Sequence, residues 1–491
     1  MTENENSYKH ILKAIGFFGS SQLIQILTGI IRTKVIAVVL GATGFGIISV
    51  LQNIVQIFTS TGILGFDTGS VRKIALIKNL NDSNQLARIV AITKSWFKGL
   101  AITASLFCLA FCYPISYLAF SSHDYALLIA FLFISVFFTI LGRANYTILQ
   151  ATNNVEPMVK VSIFGNILSL AAAIPLYLIF GLQGIVPSLI ITSIIQFFFA
   201  WKYADKLRIA KVTVARAESW NEGKDTLRFG IAVMVAAVAN TLTMFLIRAF
   251  IIRRLGLDSA GLFQAVWTIS NTYMLMVLNS MSADYFPRLS AVSEDKARMD
   301  KAINEQTFVV LNIITPVIVL IMVFGQQILR ILYSSEFIEV EKLLNWQLLG
   351  TFLKVASWPM AFIMLAKGKG THFVFSEISF FLVYFICVFV LFPYFGLDAT
   401  GVGYLLAYVF YFVLIFLYAK TLFAYHWPSK NLQTFIVASV LIILAFGLGY
   451  ITGMWKVAFG LIILALSIFW AYRNLREIID FKSIMRKIRK R

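Results

Sequence analysis

Apolar runs long enough to cross a lipid bilayer recur along the whole 491-residue sequence, with only short polar connections between them. A membrane-spanning helix needs about 20 consecutive apolar residues, and only helices or closed barrels satisfy their backbone hydrogen bonds in hydrocarbon. The composition agrees, because 59% of the residues are hydrophobic and 13% are charged, whereas soluble domains carry about 25% charged residues. The sequence therefore predicts an all-α polytopic membrane protein.

We expect about fourteen transmembrane helices, arranged as two groups of six and a final pair. The predicted spans cover 11–38, 45–66, 89–113, 125–149, 158–180, 184–203, 228–252, 260–281, 307–330, 344–366, 373–394, 398–420, 432–452 and 456–473. None of the loops is long enough to hold a soluble catalytic domain of about 100 residues. This pattern favours a protein that is not an enzyme.

The spans and loop charges together predict the domain organisation. It consists of an N-terminal six-helix bundle (1–203), a cytoplasmic linker (204–227), a C-terminal six-helix bundle (228–422), an extra helix pair (430–475) and a basic cytoplasmic tail (476–491).

The net charge of +19 is distributed unevenly between alternate loops. Cytoplasmic loops of membrane proteins collect Lys and Arg, and this rule predicts that both termini lie in the cytoplasm. The cations are scattered between apolar segments and form no basic domain, which argues against a nucleic-acid partner. The four histidines and three cysteines have no metal-ligand spacing, so we expect neither a metal nor a cofactor.

The chain partly matches itself when its second half is laid on its first at one fixed offset. The stretch LGATGFG at 40–46 falls on LGLDSAG at 255–261, and FGL at 180–182 falls on FGL at 395–397. In the second span of each half, Gln56 falls on Asn271. Since each half holds six spans, both halves have the same orientation, which predicts a parallel repeat of the kind seen in transporters that bind substrate where the repeats meet.

A polar stripe with a cation lies inside the span at 344–366. Gln347, Thr351, Lys354 and Trp358 are three or four residues apart, so they share one helix face. Two interpretations are open. The stripe faces an aqueous cavity, as intramembrane ions commonly do, or it forms structural hydrogen bonds to a neighbouring helix.

The first span carries a similar stripe, which includes Gln25 and Arg32. Arg248 lies at the matching depth of the second half. The planar guanidinium suits phosphate oxygens, so two such arginines are candidates for one shared anion. A structural role for Arg32 is an equally open alternative.

Other charged residues lie nearer the predicted cytoplasmic side. Arg143 and Glu377 are candidates to line the mouth of a cavity. Asp67 and Asp284 each end a second span and precede an arginine, which favours a helix cap or a local ion pair, with a gating salt bridge as the alternative. Cations outnumber acids among these buried charges, which predicts a large anionic substrate.

The predicted site residues fall into two groups. The candidates for substrate binding are Arg32, Arg248, Lys354, Arg143, Gln25, Gln56, Asn271 and Trp358. The candidates for coupling or gating are Glu377, Asp67 and Asp284.

Several stretches resemble a known family. NWQLLGTFLKVASWPMAFIMLAKGK, SEIS, LGATGFG, GLFQAVWTISNTY and FPRLSAV are similar to Wzx-type O-antigen and enterobacterial common antigen flippases, over roughly residues 10–420. The glycine motifs are shared more widely in the multidrug/oligosaccharidyl-lipid/polysaccharide exporter superfamily.

The resemblance implies two six-helix bundles that form a V and open alternately to each side. It implies an undecaprenyl-pyrophosphate-linked oligosaccharide as substrate, moved from the cytoplasmic to the periplasmic leaflet and passed to a polysaccharide polymerase. In that family a cationic lumen binds the substrate. Here the positive charges of the lumen would come from Arg32, Arg143, Arg248 and Lys354. The two extra C-terminal spans resemble the lipid II flippase branch, which is one alternative. A drug/cation antiporter is another, although it would need acidic residues at mid-membrane, where this sequence has none.

Overall fold

The computed structural model describes residues 3–79, 82–152, 154–210, 212–451 and 453–476. The tail from 477 onward and the side chain of Asp284 lie outside the described part of the chain. The helices are α1 (Glu3–Ile63), α2 (Phe66–Asn79), α3 (Ser83–Ala110), α4 (Cys112–Phe120), α5 (Ala126–Ala151), α6 (Val155–Phe180), α7 (Ile185–Asp205), α8 (Arg216–Leu255), α9 (Leu257–Trp267), α10 (Met274–Ala291), α11 (Lys296–Val323), α12 (Gly325–Leu332), α13 (Glu341–Ala366), α14 (Gly370–Phe395), α15 (Ala399–Phe423), α16 (Ser429–Gly447) and α17 (Met454–Leu475).

Each of the fourteen predicted spans falls on a helical part of the chain, although the spans 89–113, 260–281 and 307–330 each extend over more than one helix. The first two spans form the single element α1, which breaks at Gly41 (φ 64°, ψ −169°). The third span continues from α3 into α4 through a bend of 62°. By length and composition, eight continuous helical runs of the described chain, or nine with the bent pair, can cross a membrane, and several of these runs hold two predicted spans. The predicted all-α polytopic fold is therefore confirmed.

The internal repeat is visible in the bounds of the helices. The offset that aligns the two FGL motifs also aligns α5 with α13 and α6 with α14. The first and last residues of each pair of helices coincide at this offset. The backbone repeats as well: Gly181 has φ 55° and ψ −129°, and Gly396 has φ 54° and ψ −130°. A positive φ with such a ψ is accessible mainly to glycine. These matched breaks explain why the FGL motif recurs at this offset.

Equivalent residues of the repeat also meet each other near the end of α8. A Cβ atom on Gly46 would collide with the Leu257 carbonyl oxygen, and a Cβ on Gly261 would collide with the Ala42 carbonyl oxygen. Thr43 donates a hydrogen bond to Asp258, its own equivalent in the second half. Gly46 and Gly261 have no side chain, which allows the two backbone segments to approach this closely.

The chain divides into two compact units, unit 1 (Met1–Gln264) and unit 2 (Ala265–Arg491). In unit 1, α5 packs between α3 and α7, while α6 packs on α7 and α2 packs on α8. In unit 2, α13 packs between α11 and α15, while α14 packs on α15. The extra pair α16 and α17 packs against α11. The helix contacts of the two units therefore repeat as their sequences do.

Part of the predicted linker is helical, because α8 already begins at Arg216. This first part of α8 packs against α3 of unit 1. The Trp96 indole N–H donates to the Ser219 carbonyl at 2.7 Å, and its ring stacks on Trp220 at 5.4 Å. Lys73 and Glu222 form an ion pair beside it.

Candidate functional site

Unit 1 contains a cavity of about 810 Å³, called here the unit 1 cavity. Helices α1, α2, α5, α7 and α8 contribute to its wall. Much of that wall consists of amide and hydroxyl side chains: Gln52, Gln56, Thr59, Ser60, Thr68, Ser135, Thr139, Thr192, Ser193 and Gln196. Side chains of these types donate and accept hydrogen bonds without carrying charge.

Helical periodicity explains how so many polar groups reach one space. On α5, Ser135, Thr139 and Arg143 are four residues apart, so they share one face. On α7, Thr192 and Gln196 do the same. Sequence reasoning identified Gln56, Arg143 and Asp67 and missed the other lining residues. Polar residues at spacings of four inside apolar spans were the signal that would have found them.

The charged groups of the unit 1 cavity are paired with each other. Arg143 donates to Asp67 Oδ2 from Nε at 3.0 Å and from Nη2 at 2.9 Å. Asp67 lies in the first turn of α2, where the helix dipole favours a carboxylate, and its other oxygen accepts the Thr68 N–H at 2.8 Å. Sequence reasoning favoured a local cap or ion pair for Asp67. The observed partner comes instead from α5, 76 residues away.

Unit 2 is organised around the polar stripe of α13 and a π-helical segment, Thr268–Tyr273, between α9 and α10. Ser270 donates to Gln347 Oε1 at 2.6 Å, and Thr351 donates to the Ser270 carbonyl at 3.1 Å. Gln347 and Thr351 are fully buried. Because π segments displace the backbone from its regular hydrogen bonding, the Ser270 carbonyl is available to a neighbouring helix.

Lys354 and Asn271 lie together in this network. The Lys354 ammonium donates to Asn271 Oδ1 at 3.1 Å, and the Tyr404 hydroxyl donates to the same oxygen at 2.6 Å. Lys354 Nζ also lies 5.9 Å from the ring centroid of Tyr408. The polar stripe of α13 therefore forms hydrogen bonds to neighbouring helices in this structure, as one of the two interpretations of its sequence predicted. The cation is held by neutral oxygen and by an aromatic face.

Glu377 belongs to the same side of unit 2. It accepts a hydrogen bond from the Tyr411 hydroxyl at 2.6 Å, and it is close enough to Lys354 for the two charges to interact. Phe380 packs between the Tyr408 and Tyr411 rings. The acid predicted to take part in coupling therefore sits behind a layer of aromatic side chains.

Trp358 lies apart from that network. Its ring packs on Tyr285 at 5.6 Å and on Phe362 at 5.0 Å. The Tyr285 hydroxyl in turn donates to the carbonyl of Pro359 at 2.8 Å. Trp358 shares a helix face with Lys354 in the sequence, but its neighbours in this structure are aromatic.

The structure gives Arg32 and Arg248 different neighbours. Arg248 is 5% exposed and donates to Gln264 Oε1 from Nε at 3.2 Å and from Nη2 at 2.5 Å. The Asn53 amide oxygen accepts from its Nη1 at 2.6 Å when the amide is oriented to satisfy its partners. Arg32 is half-buried on α1, which packs on α6. The guanidinium of Arg248 is thus engaged by protein oxygens, and a single anion shared by the two arginines stays a prediction.

Gln25 and Gln56 differ in setting. Gln56 is exposed in the unit 1 cavity and donates to Ser60 at 3.1 Å. Gln25 is half-buried on α1, where its carbonyl accepts from the hydroxyl of Thr28. Of the predicted substrate contacts, Gln56 and Arg143 therefore share one cavity. The binding and coupling roles of all the predicted residues, including Gln56 and Arg143, stay predictions.

A comparison with protein-family models matches residues 35–342 to the polysaccharide biosynthesis protein family, Polysacc_synt_3. This match covers more than half of the chain. The chain belongs to the polysaccharide biosynthesis family. The matched region includes the unit 1 cavity and the π-helical segment, so both features lie within the part that defines the family.

Individual proteins are similar over most of the chain. The lipid III flippase of Escherichia coli strain K12 is 22% identical over 409 residues, which cover 82% of this chain and 97% of that protein. The lipid II flippase MurJ, solved in an inward closed conformation, superposes with a TM-score of 0.68 at 15% identity and covers 94% of this chain and 99% of MurJ. An inward-facing multidrug resistance MATE transporter of the MOP superfamily has a TM-score of 0.68 at 16% identity, over 82% of this chain and 94% of the transporter. This family member therefore has the MOP superfamily fold.

Proposed function

We propose that this protein is a flippase that moves undecaprenyl-pyrophosphate-linked oligosaccharide repeat units from the cytoplasmic to the periplasmic leaflet by alternating access. The observation that carries the proposal is the unit 1 cavity, a space of about 810 Å³ lined by amides and hydroxyls inside a membrane protein. Such a wall is costly in hydrocarbon unless it serves a polar ligand or water. The similarity to the lipid III flippase supports the same conclusion.

The chemistry of the cavity suits a glycan. Sugar hydroxyls both donate and accept hydrogen bonds, and Gln52, Gln56 and Thr139 present groups of both kinds. These contacts replace the water that a sugar loses on entering the membrane, where an unpaired polar group costs about 1–3 kcal/mol. A neutral polar wall binds many sugars moderately, which suits a protein that must also release its cargo.

Arg143 is the proposed contact for the diphosphate. It is about half exposed, with 48% of its side-chain surface accessible, and a guanidinium binds phosphate oxygens in bidentate geometry. In this structure Asp67 occupies that position. A diphosphate carries more charge than a carboxylate, so we propose that it displaces Asp67 from Arg143. Binding of the head group would then break a contact between α5 and α2, which couples occupancy to helix movement.

The glycan carried by the substrate is the finer part of the proposal. The Wzx resemblance favours an O-antigen repeat unit or a similar surface polysaccharide. A lipid II-type substrate is the second candidate, because α16 and α17 extend the chain beyond twelve spans and MurJ covers 94% of this chain.

Complementation tests the function and separates the substrates. The chain is expressed in bacteria that lack an O-antigen flippase, in bacteria that lack the lipid III flippase, and in bacteria whose lipid II flippase can be depleted. Restored surface polysaccharide in the first two strains supports repeat-unit transport, and rescued growth in the third supports the lipid II candidate. If the protein inserts normally in all three strains and restores none of them, while it confers resistance to cationic drugs, it is an antiporter and the proposal is wrong.

A further inference from the structure

A groove runs along the outer face of α3 and has no role so far. Two adjoining cavities of about 570 and 400 Å³ form it, and both include Leu100 and Thr103 in their walls. It extends from Ala91, beside the start of α8, to Phe111 at the end of α3. At about 1.5 Å per residue this distance is roughly 30 Å, the thickness of the hydrocarbon core of a bilayer. We call it the α3 groove.

The wall of the α3 groove is largely apolar, and three of its polar side chains bond to nearby backbone. Thr103 donates to the Gly99 and Leu100 carbonyls at 3.2 and 3.0 Å, and Thr61 donates to Ile57 at 2.6 Å. The Trp96 indole donates to the Ser219 carbonyl at 2.7 Å. The floor is open at Gly99, where an added Cβ would meet nothing within 4 Å. A groove of this length with a largely apolar wall fits a hydrocarbon chain.

One strip of chain separates the α3 groove from the unit 1 cavity. At the end of α1, Thr59, Ser60 and Ile63 line the cavity, whereas Phe58, Thr61, Gly62 and Leu64 line the groove. Helix α1 then stops, because Leu64 and Gly65 have φ of 54° and 69°. Asp67, the partner of Arg143, follows two residues later. A polar space and an apolar channel therefore adjoin at a break in the helix, beside the proposed diphosphate contact.

We propose that the α3 groove binds the polyisoprenoid tail of the same lipid-linked glycan whose head group enters the unit 1 cavity. This proposal rests on the proposed function. The occupant needs a polar, anionic head and one long apolar chain joined at the α1–α2 break. A bilayer phospholipid supplies the chain but has no glycan to occupy a polar space of about 810 Å³.

The binding test uses photocrosslinking of the full-length protein in nanodiscs. A photoreactive phenylalanine replaces Thr103 in the groove, and a control replaces Val440, which is 50% exposed on α16. The nanodiscs contain phospholipid with a small fraction of a polyprenyl-diphosphate-linked glycan. Preferential crosslinking of the polyprenyl lipid at position 103, but not at position 440, is the expected result. Crosslinks to phospholipid alone, in proportion to its abundance, would overturn the proposal.

The functional test compares Gly99→Leu with Gly447→Leu. Both glycines are helical with nothing within 4 Å of an added Cβ, and leucine is the better helix former. For a full-length polyprenyl substrate, Gly99→Leu is expected to lower transport into liposomes about tenfold, the effect of displacing about two CH₂ groups of the tail. For an analogue with a tail of two isoprene units, both variants should match the wild type.

The outcomes separate the two proposals. If the wild type transports neither substrate, the proposed function fails. If the wild type transports both, and Gly99→Leu lowers them equally or not at all, the function stands and the tail is not bound in the α3 groove.

Discussion

Unit 1 and unit 2 have matching helices but use the same positions differently. Thr139 of α5 and Lys354 of α13 are equivalent positions of the repeat, as are Gln56 and Asn271. In unit 1, Thr139 and Gln56 both line an open cavity. In unit 2, the equivalent Lys354 and Asn271 are hydrogen-bonded to each other at 3.1 Å. A shared helix arrangement therefore does not determine whether these positions line a cavity or belong to a packed polar network.

The difference follows from the neighbouring side chains. Unit 2 places Tyr404, Tyr408 and Tyr411 around the polar network, and large aromatic rings fill space efficiently. Arg143 of the unit 1 cavity is replaced at the equivalent position by Trp358, which packs in an aromatic cluster. The two units therefore share helix contacts but differ in the side chains that lie between those helices.

Filling the unit 1 cavity is the most severe way to test this contrast. Thr139→Trp is expected to lower glycan transport at least about tenfold, since the indole occupies space where the head group is proposed to bind. Transport by purified protein in liposomes measures the effect. The control is Leu127→Trp on the same helix, where the side chain is 68% exposed. Equal loss in both variants would show that the cavity has no special role.

Neutralising the cation of the cavity should have the next largest effect. Arg143→Gln is expected to reduce transport of a diphosphate-linked substrate about tenfold, because a charge-assisted hydrogen bond contributes about 1.5–3 kcal/mol. Lys160→Gln is the matched control, as its pair with Glu156 is an exposed contact one helical turn apart. Unchanged transport by Arg143→Gln would remove this side chain from the substrate contacts.

Asp67→Asn sharpens this test. It leaves the Arg143 charge in place and removes the carboxylate that competes with the substrate. It is therefore expected to tighten substrate binding, measured by titration of the purified protein. Weaker binding in this variant would contradict the displacement of Asp67 by diphosphate.

The repeat itself can be tested at its closest contact. Gly46→Ala and Gly261→Ala are each expected to reduce the free energy of unfolding by about 1–3 kcal/mol, because each new methyl group meets a backbone carbonyl. Thermal unfolding of the detergent-solubilised protein measures the change. Gly447→Ala has open space around its Cβ and should not destabilise the protein. If only one of the two variants is destabilised, the contact is not reciprocal.

The smallest expected effect distinguishes the packed half from the open one. Lys354→Met removes the hydrogen bond to Asn271, which keeps the Tyr404 bond, and also the positive charge near Glu377, so a loss of about 1 kcal/mol or more in unfolding free energy is expected. Thr139→Met should change stability by less than about 0.5 kcal/mol, because its side chain faces open space. A larger loss for Thr139→Met would reverse our assignment of the open and packed halves.

The sequence by itself determined the apolar spans, the internal repeat and the polysaccharide biosynthesis family, but not the Wzx branch within it. Apolar runs of about 20 residues identify membrane helices because water-free surroundings leave the backbone few alternatives. The glycines at 41, 46, 256 and 261 mark the repeat because the backbone there has a positive φ or a close neighbour. The apolar runs and the recurring glycines can be read from the sequence, whereas the neighbours that Gly46 and Gly261 approach lie far away in the chain.

Only the tertiary structure decided which polar residues meet. Arg143 pairs with Asp67 across 76 residues, and Lys354 bonds Asn271 across 83. Arg248 donates a hydrogen bond to Gln264. The sequence had made Arg248 and Arg143 equally good candidates to bind an anion. Helical periodicity gives the face on which a side chain lies, but not which helix packs against that face. That choice depends on the packing of the whole unit, since long-range contacts determine both the partner and the space left between helices.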